Sequence, residues 1–423
     1  MPRTSHQSIA RSSRRRPAVG RPLAGGQAIR MHRPTLDCDV SPQDFENILL
    51  DEPLIAIARD ARGRCGEFNE DYWTNLNSTR SYPSDFVASL LEGGCFRLIL
   101  PKRYDGRALG QQAASTALME LASWGGLSGA LPLHTAMLCS VPLLKHARPL
   151  VRDDLIPAIA AQEVIPCLAV SDYDVGDNTR RSTAHARRQS RGWTVSGEKK
   201  SVTQARHAGL ALILASHGPA EHHTRPSLFA ARITPRHIKL SDCNGSVHRV
   251  VPSCTISFDD LPVPNDHLVG RPNQGLTALA EARNSERIGL SAIMVGIGLA
   301  ALRQAVHLIS GTGPAGHVRS KAAHPLALSR ARITAAWATT MLAARIMDRK
   351  QTPSLVALEA YVIAAEACYG AVEAALQASA SIGPQVCPTL SRYADEARYL
   401  RYAIGGDETS LDWIACGRLG LAA

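Results

Sequence analysis

Apolar residues recur at three- and four-residue spacing through FENILLDEPLIAIARDA, FVASLLEGG and the Ala/Leu-rich stretch from Ser115 to Ala161. This period predicts helices, and the first structured unit is expected to be a helical domain over residues 37–162. From 163 to 270 the pattern changes to short β-like runs, EVIPCLAV, GWTVSGEKK, GLALILAS, PSLFAARI and CTISFDDLPVP, separated by Gly, Asn, Pro and Ser turns. A small antiparallel sheet or barrel is the expected form of this middle domain. From 271 to 423 the helical period returns in long Ala- and Leu-faced segments, which predict a four-helix bundle. No repeat of fixed period appears. The expected fold class is therefore α+β, mostly α: a helical domain, a β-domain able to form a cleft against both helical parts, and a bundle.

Composition narrows the partners. The chain has 423 residues, of which 45% are apolar and 20% charged, and no apolar run reads as a bilayer span, so neither a membrane protein nor a membrane partner is expected. Of the 47 basic residues 40 are arginine and the formal net charge is +10, which favours nucleotides, phosphorylated cofactors or acidic proteins. Residues 1–36 hold no acid and carry Arg3, Arg11, Arg14, Arg15, Arg16, Arg21, Arg30 and Arg33 among Ser, Pro and Gly, the composition of a disordered basic extension. No aromatic residues interleave these arginines to stack on bases, so nucleic acid is not an expected partner. An unstructured extension, or a start at Met31, is favoured over a transit peptide, and the expected compartment is the cytoplasm, with an organelle matrix as the alternative. The ten cysteines are scattered, without C-x-x-C pairs or zinc-site His spacing, and read as buried, inert thiols with no metal site.

Three stretches invite a chemical reading. IGGDETSLD at 404–412 offers an acidic pair, but Asp407 and Glu408 ahead of an apolar helix also read as an ordinary N-terminal cap, and the cap is favoured. VGIGLAA at 295–301 fits a dinucleotide fingerprint, yet it lies inside a helix with no preceding strand, so its glycines are expected to serve helix packing. The cluster Arg180, Arg181, Arg187, Arg188 and Arg191 flanks a predicted hairpin; it reads first as a solvated loop, and second as a dock for an acidic carrier protein or for phosphates.

The order α, β, α, with LPKRYDGRALG at 100–110, GWTVSGEKKSVT at 192–203, ISFDDLPVPNDHLVG at 256–270 and a Glu-Arg pair early in the next helix, resembles the acyl-CoA dehydrogenase superfamily over about residues 41–420. The resemblance implies a cleft where FAD meets an acyl thioester, assembly as a homodimer or homotetramer, and an electron-transfer flavoprotein as a possible acceptor. Such a reaction needs a carboxylate held over the substrate to take the weakly acidic α-proton. In most of the family that Glu precedes a Gly-Thr pair near the C-terminus, a position that falls on Gly406 here, so Gly405 and Gly406 are implied to leave room for substrate, even for a branched acyl group. Isovaleryl-CoA and several carrier-protein dehydrogenases instead place it on the first long bundle helix, in a segment like L-E-R. The matching residues are Ser285, Glu286 and Arg287, which implies Glu286 as the base and Arg287 beside the pantetheine arm. The plainer alternative for Glu286 is a surface carboxylate salt-bridged to a neighbour.

For FAD, the flavin-facing strand motif matches Ser201, Val202 and Thr203, keeping the Thr but losing the family's tryptophan. The loop motif reads VSDYDVGD at 170–177, with a hydroxyl at Ser171 and with Gly176 and Asp177 retained; Gly176 is assigned to the substrate side. RSKAA at 319–323 keeps Arg319 for a neighbouring subunit's diphosphate, and QASASIG at 377–383 keeps Gln377 and Gly383 while Ala380 and Ser381 replace two glycines. The implied activity is α,β-dehydrogenation of an acyl-CoA or acyl-carrier protein. A flavin monooxygenase of the same fold, and a homologue that has lost FAD, are the rivals.

Overall fold

The computed structural model describes residues 51–172, 182, 184–217, 225–241, 247, 249–310, 316–381, 387–404 and 406–421. The basic extension expected over 1–36 lies outside them. Helices come first: α1 (Glu52–Cys65), α2 (Glu70–Thr79), α3 (Ser84–Glu92), α4 (Gly110–His146) and α5 (Pro149–Ala160). Asn69 starts α2 by accepting the Tyr72 N–H at 3.0 Å. The long α4 is interrupted at Gly126 (φ 61°, ψ −154°), a conformation open essentially to glycine alone. A Cβ at this position would meet the Glu396 carboxylate at 2.6 Å, and that carboxyl accepts the Leu127 N–H at 3.0 Å, capping the second half of the helix.

Among the described residues the middle of the chain forms eight strands in two four-stranded sheets. One has the order β1 (Pro166–Ala169), β4 (Leu210–Ala215), β5 (Ser227–Arg232), β8 (Leu268–Val269); the other runs β2 (His185–Gln189), β3 (Gly192–Thr203), β7 (Ser253–Pro264), β6 (Ile238–Ser241). Among the described residues every ladder is antiparallel, as expected, except β1 with β4, which is parallel. The reason is the connection: β1 and β4 are 40 residues apart, with the β2–β3 hairpin inserted between them, long enough for the chain to return in the same direction. Cys167, Ile213 and Phe229 from one sheet share a core with Trp193, Ile256 and Phe258 from the other, so the sheets pack face to face, and a parallel bridge from His185 to Ser216 joins β2 to the chain leaving β4.

The bundle consists of α6 (Gly275–Ser310), α7 (Gly316–Asp348), α8 (Ser354–Ala380) and α9 (Pro388–Tyr402), followed by α10 (Gly406–Ile414) and a π turn at Ala415–Leu419. α6 packs along both α4 and α8. Contrary to the expectation from the raw sequence, α4, α6 and α8 are each long and apolar enough to cross a membrane by length and composition. In the fold the most apolar stretch of α4 is 94% buried and that of α6 72%, which accounts for their composition as core. The glycines of VGIGLAA are packing notches: a Cβ at Gly296 would fall 2.3 Å from the Met119 carbonyl oxygen of α4, and one at Gly298 2.4 Å from Ile333 of α7. Cysteine usage also departs from expectation, because Cys254 is disulfide-bonded while seven others among the described residues are free.

Candidate active site

A cleft of about 100 Å³ opens where α4, β3, α6 and the end of α9 converge. Its apolar wall is Leu127, Leu131, Leu138, Leu168, Val170 and Leu290; its polar groups are Ser171, Lys200, Ser201 and Thr203 from the β side and His134, Thr135, Arg283, Glu286 and Tyr399 from the helices. Of the residues singled out in the sequence, Ser171, Ser201, Thr203 and Glu286 thus meet in one place.

Local backbone explains how the β side presents hydroxyls. The β3–β7 register shifts between Lys199 and Val202, and Ser201 adopts the left-handed region (φ 53°), as does Gln204 (φ 64°). A bulge of this kind turns successive side chains out of strict alternation. Thr203 Oγ1 lies 2.9 Å from Ser253 Oγ, and Ser253 also hydrogen-bonds the Tyr399 hydroxyl, so a run of three hydroxyls joins β3 to α9 along the cleft.

Glu286 sits one third of the way along α6 with its side chain 12% exposed, and its Oε2 pairs with Arg283 Nη1 at 3.1 Å. Of the plainer sequence reading only the salt bridge is present: the side chain is largely buried rather than on the surface, and it lines the cleft. His134 is buried directly behind it, Nε2 standing 3.4 Å from the Glu286 carbonyl oxygen, with Gly289 giving the ring room. Burial lowers the proton affinity of His134, against the pull of the Glu286 charge, which favours the neutral imidazole. Burial likewise raises the Tyr399 phenol, with the Ser253 hydrogen bond opposing and the Glu286 charge reinforcing, so it stays protonated and able to donate.

The other expected residues are not gathered here. Arg287, half-buried, is absent from the cleft lining, and burial is the main influence on its guanidinium, lowering its proton affinity. Gln377 is exposed on α8 and reaches Glu373 at 3.4 Å. Gly176, Asp177, Gly383 and Gly405 lie outside the described residues; Arg319 falls on α7 and Gly406 opens α10, without described side chains. Of the 404–412 segment it is Ile404, preceded by Ala403, that lines the cleft, so this wall carries a branched side chain. Glu408 is exposed in the first turn of α10, as a cap-region acid would be. The arginine cluster is largely engaged locally: Arg187 pairs with Asp260 at 2.8 Å and Arg188 lies over the Trp193 ring at 4.7 Å, while Arg180 and Arg181 are outside the described residues.

His134, Thr135 and Tyr399 were not singled out from the sequence. The signal available was a His-Thr pair inside GALPLHTAML, polar groups in an otherwise apolar helix, where a buried polar side chain calls for a partner.

Two family models match: the acyl-CoA dehydrogenase N-terminal domain over residues 55–163 and the acyl-CoA dehydrogenase C-terminal domain over 273–418, together more than half of the chain. Acyl-CoA dehydrogenase FadE12 of Mycobacterium tuberculosis is 25% identical over 373 residues, covering 86% of this chain and 96% of the relative. Among solved structures, the prolyl acyl carrier protein oxidase AnaB superposes with a TM-score of 0.80 at 20% identity, covering 88% of this chain and 100% of that one. A glutaryl-CoA dehydrogenase from Mycobacterium smegmatis in complex with FADH2 superposes at 0.79 and 17% identity, covering 89% and 97%. With both domain models matched in order along the chain, this protein belongs to the acyl-CoA dehydrogenase family.

Proposed function

We propose that this protein removes two hydrogens from the α,β bond of an acyl thioester, with Glu286 as the base that takes the α-proton. The observation that carries this reading is the shared cleft, with the Glu286 carboxylate on the helical side and the Ser171, Ser201 and Thr203 hydroxyls on the β side. The family membership and the FADH2-bound relative of the same fold add support for FAD. The donor set fits that group: three hydroxyls and the Lys200 ammonium suit the polar edge of a flat heteroaromatic ring, and Leu168 and Val170 suit its face. When bound, FAD supplies the acceptor for the hydride that leaves the β-carbon.

The chain's own groups divide the remaining work. Glu286 receives the α-proton on a carboxylate oxygen, and the Arg283 contact to Oε2 fixes its rotamer. The apolar wall around Leu127, Leu131 and Leu290 excludes water from the acyl end. The net charge of +10 and the likeness to a carrier-protein oxidase support an acyl-carrier protein as donor alongside acyl-CoA. A homodimer or homotetramer and an electron-transfer flavoprotein acceptor complete the proposal.

The purified protein is expected to bind FAD, with absorbance bands near about 370 and 450 nm, and to bleach with butyryl-CoA or a short acyl-carrier protein. Glu286→Gln is expected to keep the bands and lose dehydrogenation by about 10³-fold or more. Full-rate bleaching by that variant would remove Glu286 from the role of base. Oxygen uptake that depends on a separate flavin reductase would favour the monooxygenase rival.

A further inference from the structure

Beside the cleft, inside the β-domain, lies a charged cluster that the proposed chemistry does not use. Lys199 of β3 is wholly buried, and its Nζ donates to Asp172 Oδ1 at 2.8 Å and Oδ2 at 2.9 Å, to the Val170 carbonyl at 3.1 Å and to Ser182 Oγ at 2.7 Å. Asp172 is 1% exposed. Ser182 Oγ in turn donates to the Leu214 carbonyl of β4 at 2.9 Å, so the ammonium holds two segments against the central strands. An ion pair this deep adds little net stability, because taking both charges out of water costs about as much as their attraction returns, and an apolar pair of similar size often serves as well. Its cost is explained better by what it fixes in place.

What it fixes is one wall of the cleft. Lys199 grips residues 170 and 172, and the next residue's backbone N–H, Lys200 N, donates to the Ser171 carbonyl at 3.0 Å. Three successive residues of the segment leaving β1 are therefore tied to two successive residues of β3. The same short stretches supply Val170, Ser171, Lys200 and Ser201 to the cleft, and the bulge that aims Ser201 begins immediately after Lys199. The hydroxyl spacing that suits a flavin edge is thus set from behind by a buried cation. We propose that Lys199, with Asp172 and Ser182, is a positioning residue that locks the flavin-facing wall into its binding geometry. This rests on the FAD reading above.

The test separates positioning from stability. In the full chain, the double variant Lys199→Met/Asp172→Leu replaces both charges of the pair with apolar groups; Ser182→Ala removes the hydroxyl's bonds to Lys199 and to the Leu214 carbonyl and keeps the pair. Thermal midpoint, FAD affinity by titration and the visible spectrum of bound flavin are measured for each. The double variant is expected to melt at or near the wild-type temperature yet bind FAD about tenfold or more weakly, with shifted flavin bands, and Ser182→Ala to weaken FAD by about threefold. Wild-type affinity and spectrum in a stably folded double variant would overturn the proposal; if that variant is insoluble, unchanged FAD binding by Ser182→Ala overturns it. A wild-type protein that binds no FAD would overturn this proposal and the flavin reading together, whereas a binding wild type with unaffected variants overturns only this one.

Discussion

Glu396 shows how one buried carboxyl can set the pH dependence of the whole fold. It is fully enclosed against the break at Gly126, and burial pushes its proton affinity up from 4.5 to about 7, with Arg392 and the Leu127 N–H opposing. The folded protein therefore holds a proton between those values that the unfolded chain has released. The stabilisation is present in full below the unfolded value and is lost as pH rises through the folded one, amounting to about 3 kcal/mol. Glu396→Gln keeps an acceptor for Leu127 and removes the titration. The histidines held neutral by burial, such as His134, act alike in both proteins, so the difference between the two urea midpoints is expected to move from about pH 5 to about pH 8, the wild type losing ground to the variant as pH rises. Because Leu127 lines the cleft, the same group also holds one end of the cleft's apolar wall.

At the scale of elements, the notches on α6 carry the packing. Gly296 stands against the Met119 carbonyl and Ala122 of α4, so Gly296→Val would force two rigid helices apart, with an expected loss of about 1–3 kcal/mol and a matching fall in chemical-denaturation midpoint. Unchanged stability would mean that the α4–α6 seam adapts. The succession of helices, short strands and helices could be read from periodicity, since period is a local property of the chain. The parallel β1–β4 pair could not, because it depends on a chain reversal between strands 40 residues apart. For the site, Ser171, Ser201, Thr203 and Glu286 were readable because each sits in a short motif. His134 and Thr135 of α4 meet Tyr399 of α9 only through tertiary packing, and the cleft-lining role of Ile404 depends on where α9 ends rather than on residue type.

For the molecule as a whole, the C-terminal end leaves large apolar side chains on the surface: Tyr402, Leu411, Trp413, Leu419 and Leu421 are each about half exposed or more. Such a group on one region is more than scattered surface apolarity. Light scattering after size exclusion is expected to give a dimer or tetramer, and Trp413→Ser to shift it toward monomer; a monomeric wild type at micromolar concentration would refute self-association. The nearly all-round apolar α4 has a further consequence for how the protein is made. Its main partner α6 begins at Gly275, well over a hundred residues after α4 ends at His146. At ordinary elongation rates of about 5–20 residues per second, a helix apolar enough for a bilayer waits roughly 6–26 s for its cover. During synthesis the nascent chain thus carries a bilayer-length apolar helix for seconds before its main cover exists, a stretch in which transiently exposed apolar surface invites aggregation.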